Sequence, residues 1–411
     1  SMPLFALSCA VQSYAWGKVG NESTVAKLAA SNGDLAVDPG TPYAEYWFGT
    51  HVNGPAKIKG EEGDGGNALL SDWLAKNVDA STGQLPFLLK ILSIAKCLSI
   101  QAHPNKALAS QLHADRPLIY KDPNHKPEMA IAITPFEAMC QFRELSDILG
   151  FVDSVPEFNA VLGEAGRAAA ERLKAAEGSE TQKKELKALF SEYSRANADL
   201  VREKVDELVA RIQSADEARP AEQVAVRLAA QYPGDIGVFA PFLLNVINLK
   251  PGEAVFLAAN EPHAYICGDC VEVMATSDNV VRMGCTPKLR DVDVLVDMLT
   301  YNYGSPKIMT GEVLDGDEHT RLYTPWDEAV TEFQIERTML SKAEGKHVVR
   351  PVPGPSLLLV LEGEGKTDTG VALGGDGGSR VFFLGANETV TIDRASVKGT
   401  GLVLIRACER L

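Results

Sequence analysis

The sequence predicts a mainly β protein with two jelly-roll β-domains and an α-helical insert domain. Short β-like runs separated by Gly, Pro and Asn turns fill residues 1–143, and similar runs return from residue 241. Between them, residues 144–240 are rich in Ala, Glu, Lys, Leu and Arg at helical spacing, with few β-branched residues. At 411 residues, the chain is also too long for one ordinary hydrophobic core. We therefore expect several domains, with the helices inserted into the first β-domain.

A short internal similarity supports two β-domains, one from residues 1–143 and 241–320 and one from 321–411. The stretches "VFLAANEPHAY" (255–265) and "FFLGANETVTI" (382–392) share a strand followed by an Ala-Asn-Glu turn. Repeated turn–strand units of this kind build jelly rolls of the cupin type. His263 in the first copy aligns with Val390 in the second. We expect the second cupin-like domain to lack the ligands that the first one carries.

Composition and charge exclude several classes of function. The net charge of −15 disfavours binding to nucleic acid or to an anionic membrane surface. No apolar run approaches the ~20 residues of a membrane span, and the first residues lack the segments of a signal peptide. The seven cysteines show no spacing typical of a disulfide framework. We expect a cytoplasmic monomer that acts on a small molecule.

A stripe of polar residues ends a predicted strand in "CLSIQAHPNK" (97–106). Alternate residues of a strand share a face, so Ser99, Gln101 and His103 lie on one side. The apolar residues of the stretch, Leu98, Ile100 and Ala102, then pack against a second sheet. Pro104 ends the strand and leads into a helix. Such a stripe at the mouth of a cavity indicates a set of ligands.

Two further segments complete a candidate metal site. Glu128 opens a predicted strand in "YKDPNHKPEMAIAI" (120–133), and a buried carboxylate there needs a cation. His263 follows a proline turn in "NEPHAY" and shares a face with Tyr265. Together with Gln101 and His103, these residues offer two imidazoles, one carboxylate and one amide. This mixed set suits a divalent metal such as zinc that acts as a Lewis acid.

Basic residues near the same site suit an anionic substrate. The segment "VEVMATSDNVVRMGCTPKLRDV" (271–292) contains Arg282, Lys288 and Arg290, and Lys126 and Lys90 are further candidates. Surface salt bridges of this cluster with Glu272, Asp278 and Asp291 are an equally good interpretation of the pattern.

Seven motifs, in order along the chain, resemble those of the type I mannose-6-phosphate isomerases. They are "QSYAWGK" (12–18), "YAEYWFGTH" (43–51), "LSIQAHPNK" (98–106), "NHKPEMAIA" (124–132), "QYPGDIG" (231–237), "LKPGEAVFLAANEPHAY" (249–265) and "SDNVVRMGCTPK" (277–288). The resemblance is weakest in the helical insert and near the C-terminus. Tyr46, Phe48, Met283 and Cys285 depart from the usual residues of the family, but none is a ligand position.

The resemblance implies a zinc-dependent aldose–ketose isomerase that interconverts mannose 6-phosphate and fructose 6-phosphate and supplies precursors of mannosylation such as GDP-mannose. It implies one Zn²⁺ per chain, held by Gln101, His103, Glu128 and His263, and a catalytic Arg282. The reaction moves a proton between carbons 1 and 2 through a cis-enediolate, and so requires a positioned base. The candidates are Lys126, Glu272, Tyr265 and Asp278, and the sequence does not choose among them. Ser99 and Lys288 are candidates for holding the phosphate.

Two other functions fit parts of the pattern. A cupin-type oxygenase would use His103, His263 and Glu128 to bind Fe(II), but Gln101 would then occupy a position that oxygen needs. A sugar-binding or storage protein would not need the basic residues Arg282 and Lys288. Metal analysis and a turnover assay separate these functions from the isomerase.

Overall fold

The computed structural model describes residues 4–60, 68–78 and 82–411. The other residues of the predicted first domain, 1–3, 61–67 and 79–81, lie outside the described part. Short strands and three helices make up the chain before residue 143. The strands are β1 (Phe5–Ser8), β2 (Ala10–Gln12), β3 (Lys18–Val19), β4 (Pro42–Tyr43), β5 (Glu45–Phe48), β6 (Lys57–Ile58), β7 (Phe87–Ile94), β8 (Ile100–Ala102), β9 (Glu128–Ala132) and β10 (Phe136–Phe142). The helices are α1 (Thr24–Ser31), α2 (Leu70–Asn77) and α3 (Lys106–Asp115).

Capping residues explain where two of these helices begin. The Ser23 hydroxyl accepts a hydrogen bond from the Ala26 amide at the start of α1. The Asn105 side chain accepts one from the Leu108 amide at the start of α3, directly after Pro104. Both caps satisfy a backbone donor that has no partner within the helix. The start of α3 right after β8 confirms that Pro104 separates a strand from a helix.

The helical insert forms as predicted. It comprises α4 (Leu145–Ser154), α5 (Pro156–Ala175), α6 (Ser179–Ser194), α7 (Ala198–Gln213) and α8 (Pro220–Gln231), and a 3₁₀ segment (Ile236–Phe242) leads back to the strands. Apolar residues on the inner faces of these helices, such as Phe158, Phe190 and Leu208, are fully buried. In the same core cluster lie Ile100 and Ala102 of β8. The apolar face of β8 was expected to pack against a second sheet, and this expectation is wrong for these two residues, because the insert covers them.

The remaining chain is mainly β. It continues with β11 (Leu244–Leu249), β12 (Ala254–Leu257), β13 (His263–Ala275), β14 (Val281–Gly284), α9 (Val292–Met298), β15 (Ile308–Met309), β16 (Glu312–Leu314), β17 (Asp317–Tyr323), β18 (Gln334–Leu340), β19 (Lys346–Val349), β20 (Ser356–Thr367), β21 (Ala372–Gly374), β22 (Val381–Leu384) and β23 (Val390–Cys408). The mainly β architecture with a helical insertion is therefore confirmed. No helix within the described ranges combines the length and the apolar character that crossing a membrane requires.

The strands form two large antiparallel sheets. In the first, the order β15-β12-β9-β13-β7-β5-β2 is extended by β10, β11, β8 and β14. In the second, the order is β16-β17-β18-β23-β20-β22-β1-β6. β1 pairs with β22, Phe5 opposite Phe383, so sheet membership does not follow the order of the chain. The N-terminal strand β1 thereby joins the sheet formed mostly by the C-terminal strands.

The two stretches that are similar in sequence also have the same order of strands and the same turn conformation. β12 and β22 occupy equivalent positions in the two stretches, and β13 and β23 follow them. Asn260 and Asn387, the aligned residues of the two turns, both have left-handed backbone conformations, with φ of 62° and 60°. Asn tolerates this conformation better than most residues with a side chain. The two copies therefore share a turn as well as a sequence pattern.

β13 pairs with four other strands of the first sheet, and its pairing partners change at Gly268. Residues before Gly268 pair with β10 and β8, whereas residues from Gly268 onward pair with β7, and those from Cys270 with β9. Gly268 has a φ of +115°, and a Cβ there would lie 2.6 Å from the carbonyl oxygen of Pro135. The backbone at this change of pairing partners thus requires a residue without a side chain.

We expect Gly268→Ala to destabilise the protein by about 1–3 kcal/mol or more, because the backbone is left-handed and the space is filled. The matched control is Gly150→Ala in α4, where a Cβ meets nothing within 4 Å. Alanine is favoured over glycine in a helix interior by about 1 kcal/mol, so the control should melt at the same or a higher temperature. Thermal unfolding followed by circular dichroism measures both, and an unchanged melting temperature for Gly268→Ala would contradict the role of this residue.

Candidate metal centre and active site

Three buried side chains from separate segments converge at one end of the first sheet. Their ligand atoms, from His103, Glu128 and His263, all lie within 4.8 Å of one another. The Nε2 atom of His103 is 3.3 Å from one carboxylate oxygen of Glu128, and that of His263 is 3.2 Å from the other. Among the residues that the structure describes, this is the one group of three or more His, Cys, Asp or Glu with such spacing.

The two histidines are oriented in the way that metal ligands require. His103 Nδ1 is 2.7 Å from the carbonyl oxygen of Asn279, and His263 Nδ1 is 3.1 Å from that of Glu261. Each Nδ1–H can donate to its carbonyl, which leaves the Nε2 lone pair free. Both Nε2 atoms are buried and lack a hydrogen-bond partner in the described part of the chain. Two buried, unsatisfied nitrogens facing one carboxylate fit a divalent cation.

The charges of this group suit metal binding as well. Burial lowers the pKa of His103 to about 4, against the opposing effect of Glu128. Burial alone would raise the pKa of Glu128, but His103 and Lys126 outweigh it and hold the pKa well below its usual range. At neutral pH His103 is therefore a neutral imidazole, the form that binds metals.

Strand register brings Gln101 and Arg282 next to the ligands. Gln101 of β8 lies opposite His263 of β13 and, on its other side, opposite Arg282 of β14. Directly opposed residues on neighbouring strands project to the same face. The amide expected as a fourth ligand and the expected catalytic arginine thus lie in one row with His263.

Within the described residues, no carboxylate forms an ion pair with Arg282, and burial is the only influence on its charge. Its side chain is half-buried, and burial lowers its pKa from the ordinary value. The predicted alternative, surface salt bridges of the basic cluster with Glu272, Asp278 and Asp291, does not form for Arg282, Lys288 or Arg290 among the described residues; the Lys90–Glu272 pair forms, but it is buried. Glu272 pairs with Lys90, Asp278 with His51 and Asp291 with Arg116 instead.

Lys126 lies beside the metal ligands, with its Nζ atom 3.5 Å from Glu128 Oε1. It precedes Pro127 in the segment that leads into β9, and Glu128 is the first residue of that strand as predicted. Of the four expected bases, all of which lie in the described ranges, Lys126 is the one with an ion pair to a predicted ligand.

Lys90 lies in a buried network and not in an open phosphate pocket. Its Nζ atom is 3.3 Å from Glu45 Oε2 and 3.4 Å from Glu272 Oε2, and the Tyr265 hydroxyl donates to Glu272 Oε1 at 2.9 Å. Burial would lower the pKa of Lys90, but the two carboxylates raise it above its ordinary value. Burial raises the pKa of Glu272 and of Tyr265. Three of the expected site residues, Lys90, Glu272 and Tyr265, therefore form one hydrogen-bonded unit.

The other expected residues lie toward the surface. Asp278 is half-exposed, and His51 Nε2 is 3.3 Å from its carboxylate. This contact holds the pKa of Asp278 below its usual value. Ser99 is half-buried just before β8, and Lys288 is exposed after β14. Arg290, a member of the predicted basic cluster, donates to the carbonyl oxygens of Met283 and Ser194.

Sequence reasoning missed four residues of this region: Glu45, His51, Asp122 and Asn279. Glu45 alternates with Trp47 on a strand of four buried residues, and a buried acid among aromatic residues was a usable signal. His51 remained unassigned because a single histidine is uninformative. Asp122 and Asn279 contact each other across 157 positions, and nothing local in the sequence indicates that contact.

Comparisons with known proteins agree on one family. The family model for the catalytic domain of type I phosphomannose isomerase matches residues 4–145, and the model for its helical insertion domain matches residues 161–244. Mannose-6-phosphate isomerase from Homo sapiens is 42% identical over 428 residues, which cover 98% of this chain and 98% of that protein. The chain belongs to the type I phosphomannose isomerase family. The resemblance inferred from the seven motifs is thereby confirmed.

Other members of the type I phosphomannose isomerase family agree in sequence and in structure. Mannose-6-phosphate isomerase 2 from Arabidopsis thaliana is 43% identical, covering 89% of this chain and 85% of that protein. A crystal structure of a phosphomannose isomerase variant from Salmonella typhimurium has a TM-score of 0.81 at 29% identity, covering 99% of this chain and 100% of that one. A zinc-bound crystal structure of a mannose 6-phosphate isomerase has a TM-score of 0.80 at 30% identity, with the same coverage.

We expect His263→Ala to weaken zinc binding by at least about 100-fold, since it removes one of three convergent donors. The matched control is His113→Ala on α3, whose Nδ1 contacts the carbonyl oxygen of Tyr120 away from the cluster. Zinc content after dialysis, measured by inductively coupled plasma mass spectrometry, should fall only in the first variant. Full zinc occupancy in His263→Ala would contradict the assignment of this ligand.

Proposed function

We propose that this protein is a zinc-dependent isomerase that interconverts mannose 6-phosphate and fructose 6-phosphate. The observation that carries the proposal is the buried cluster of His103, Glu128 and His263, with its two unsatisfied nitrogens, beside the unpaired Arg282. The proposed substrate is inferred from the relatives, since both are called mannose-6-phosphate isomerases. The sugar phosphate is an anion, and Arg282 offers a positive charge for it in a protein whose net charge is −15.

Gln101, His103, Glu128 and His263 are proposed to hold one zinc ion. When bound there, zinc acts as a Lewis acid that stabilises negative charge developing on the substrate oxygens. Support comes from the donor set, which mixes nitrogen and oxygen, and from the orientation of both imidazoles by backbone carbonyls.

Isomerisation removes a proton from carbon 2 of the aldose and returns it to carbon 1, through a cis-enediolate. We propose that Arg282 stabilises the charge of this enediolate, because a half-buried guanidinium without a carboxylate partner can pair with it strongly. Ser99 and Lys288 are proposed to bind the phosphate, since Lys288 is exposed at the surface and can reach an anionic group.

Among the four candidate bases, we propose Lys126 for the proton transfer. Both oxygens of Glu272 have partners in the buried network, and the Tyr265 hydroxyl is already donated to Glu272. Asp278 is half-exposed and held by His51. Lys126 is the candidate whose side chain reaches a proposed zinc ligand. We propose that Lys90, Glu45, Glu272 and Tyr265 instead form a rigid wall of the site.

The domain boundaries and the cellular role are also proposals. We propose a catalytic domain of residues 1–143 and 241–320, a helical domain of residues 144–240 and a C-terminal cupin-like domain of residues 321–411. The product, mannose 6-phosphate, would feed the synthesis of GDP-mannose. All seven cysteines are free thiols, which suits the reducing cytoplasm as the proposed compartment.

A chelator should abolish the isomerase activity. We expect the purified protein to convert mannose 6-phosphate in a coupled assay, to lose more than about 99% of this activity after metal removal, and to regain it with added Zn²⁺. Activity that survives complete removal of zinc, verified by metal analysis, would contradict the metal-dependent mechanism.

We expect Lys126→Met to abolish exchange of the carbon-2 proton of mannose 6-phosphate with solvent, because it removes the proposed base. The exchange can be followed by proton NMR in deuterated water. Lys121→Met, which changes an exposed lysine of the same segment, serves as the control and should exchange normally. Normal exchange in Lys126→Met would exclude this residue as the base and leave Glu272 as a candidate.

A further inference from the structure

A cluster of polar side chains joins the two loops that flank the candidate metal centre. It consists of Asp122, Asn124, Ser277 and Asn279 and is called the Asp122–Asn279 cluster below. Ser277 and Asn279 are buried, with 3% and 1% of their surfaces exposed. The Ser277 hydroxyl donates to Asp122 Oδ1 at 2.8 Å, and the Asn279 amide group donates to the carbonyl oxygens of Asp122 and Asn124 at 2.6 and 3.0 Å. These bonds connect the loop before β9 to the loop before β14.

One end of the cluster contacts the metal centre through His103. The backbone carbonyl of Asn279 is the acceptor for His103 Nδ1, at 2.7 Å. This contact determines which nitrogen of the imidazole carries the proton, and it directs Nε2 toward Glu128. The position of the Asn279 backbone therefore controls the orientation of this imidazole.

The other end of the cluster leads directly to Lys126 and Glu128. Asp122 and Asn124 lie two to six residues before them, and Pro127 restricts the intervening backbone. The amide of Asp278 also donates to Asp122 Oδ2, at 2.8 Å. One set of hydrogen bonds thus positions an imidazole, a carboxylate and two further candidates for the active site.

The side chain of Asn279 is not fully satisfied. Its Oδ1 atom is buried and has no hydrogen-bond partner within the described residues. The amide nitrogen of the same side chain, by contrast, has its partners in the loop that carries Glu128.

We propose that Asn279 is a positioning residue for the metal centre, which aligns His103 with Glu128 by connecting the two loops through the Asp122–Asn279 cluster. This inference rests on the proposed zinc site and adds a residue that contacts neither metal nor substrate through its side chain. Asn279→Ala should weaken zinc binding about 10–100-fold, the usual effect of losing a group that orients a ligand. It should also broaden or shift the visible absorption bands of the Co²⁺-substituted protein, because the ligand geometry becomes less uniform.

The experiment measures Zn²⁺ affinity by competition with a chromophoric chelator, without substrate. The matched control is Asn32→Ala, since Asn32 is also buried, with 4% of its surface exposed, and its amide donates to the carbonyl oxygen of Leu7 at 2.9 Å. The control is expected to lower the melting temperature and to leave zinc affinity and the Co²⁺ spectrum unchanged. A change of zinc affinity in the control as large as in Asn279→Ala would mean that general destabilisation explains both, and would overturn the proposal.

A second variant keeps the test decisive if Asn279→Ala does not fold. Ser277→Ala removes only the hydroxyl that donates to Asp122 and accepts from the backbone N–H of Asn279 at 3.2 Å, and we expect a several-fold loss of zinc affinity. The proposal would be wrong if each of these two variants that folds bound zinc as tightly as the parental protein. A parental protein that binds zinc but does not isomerise mannose 6-phosphate would refute the proposed function alone, because the affinity measurement does not depend on turnover.

Discussion

The buried carboxylate of Glu128 is the constraint on which the candidate site depends. A buried charge is costly unless it is paired, and Glu128 is only 3% exposed. Lys126 is its cationic partner, and a metal ion shared with the two facing imidazoles would pair it further. These partners come from the end of β8, the start of β13 and the loop before β9. The first sheet must therefore hold three strand ends in one register. Slippage of a strand by one residue would send its side chains to the opposite face.

The helical insert has a physical role in holding that register. The short strand β8 has little pairing of its own, and Ile100 and Ala102 project away from the site into the core of the insert. Ala264 and Ile266 of β13 lie in the same core. Burial of the back of these strands stabilises their positions, while His263 and Gln101 remain on the other face. The insert thus supports the metal centre from behind, without contributing a ligand.

Patterns local in the sequence predicted much of this structure. The composition of residues 144–240 predicted the helices, and alternation predicted that Glu128 begins a strand and that Gln101 lies on the face opposite to Ile100 and Ala102. Which element covers the apolar face of β8 could not be predicted, because alternation says only that a face is apolar. Contacts between distant residues, such as Asp122 with Asn279 or Glu45 with Lys90, depend on the three-dimensional fold. Hydrogen bonds between polar side chains leave no periodic signal, so residues such as Asp122 and Asn279, which lie beside the candidate ligands, were missed.

The turn that is repeated in the two β-units has the same backbone conformation in both, but the residue that follows it differs. Asn260 and Asn387 have the same left-handed conformation, so both β-units keep the backbone geometry of the turn. Three positions later, the aligned residues are His263 in one unit and Val390 in the other, and Val390 packs in an apolar core with Ile392 and Leu404. A valine at this point satisfies the strand as well as a histidine does, since the strand needs only a buried side chain there. The turn and the strand are thus kept with either residue at this position, so the fold alone does not account for the histidine in the first unit.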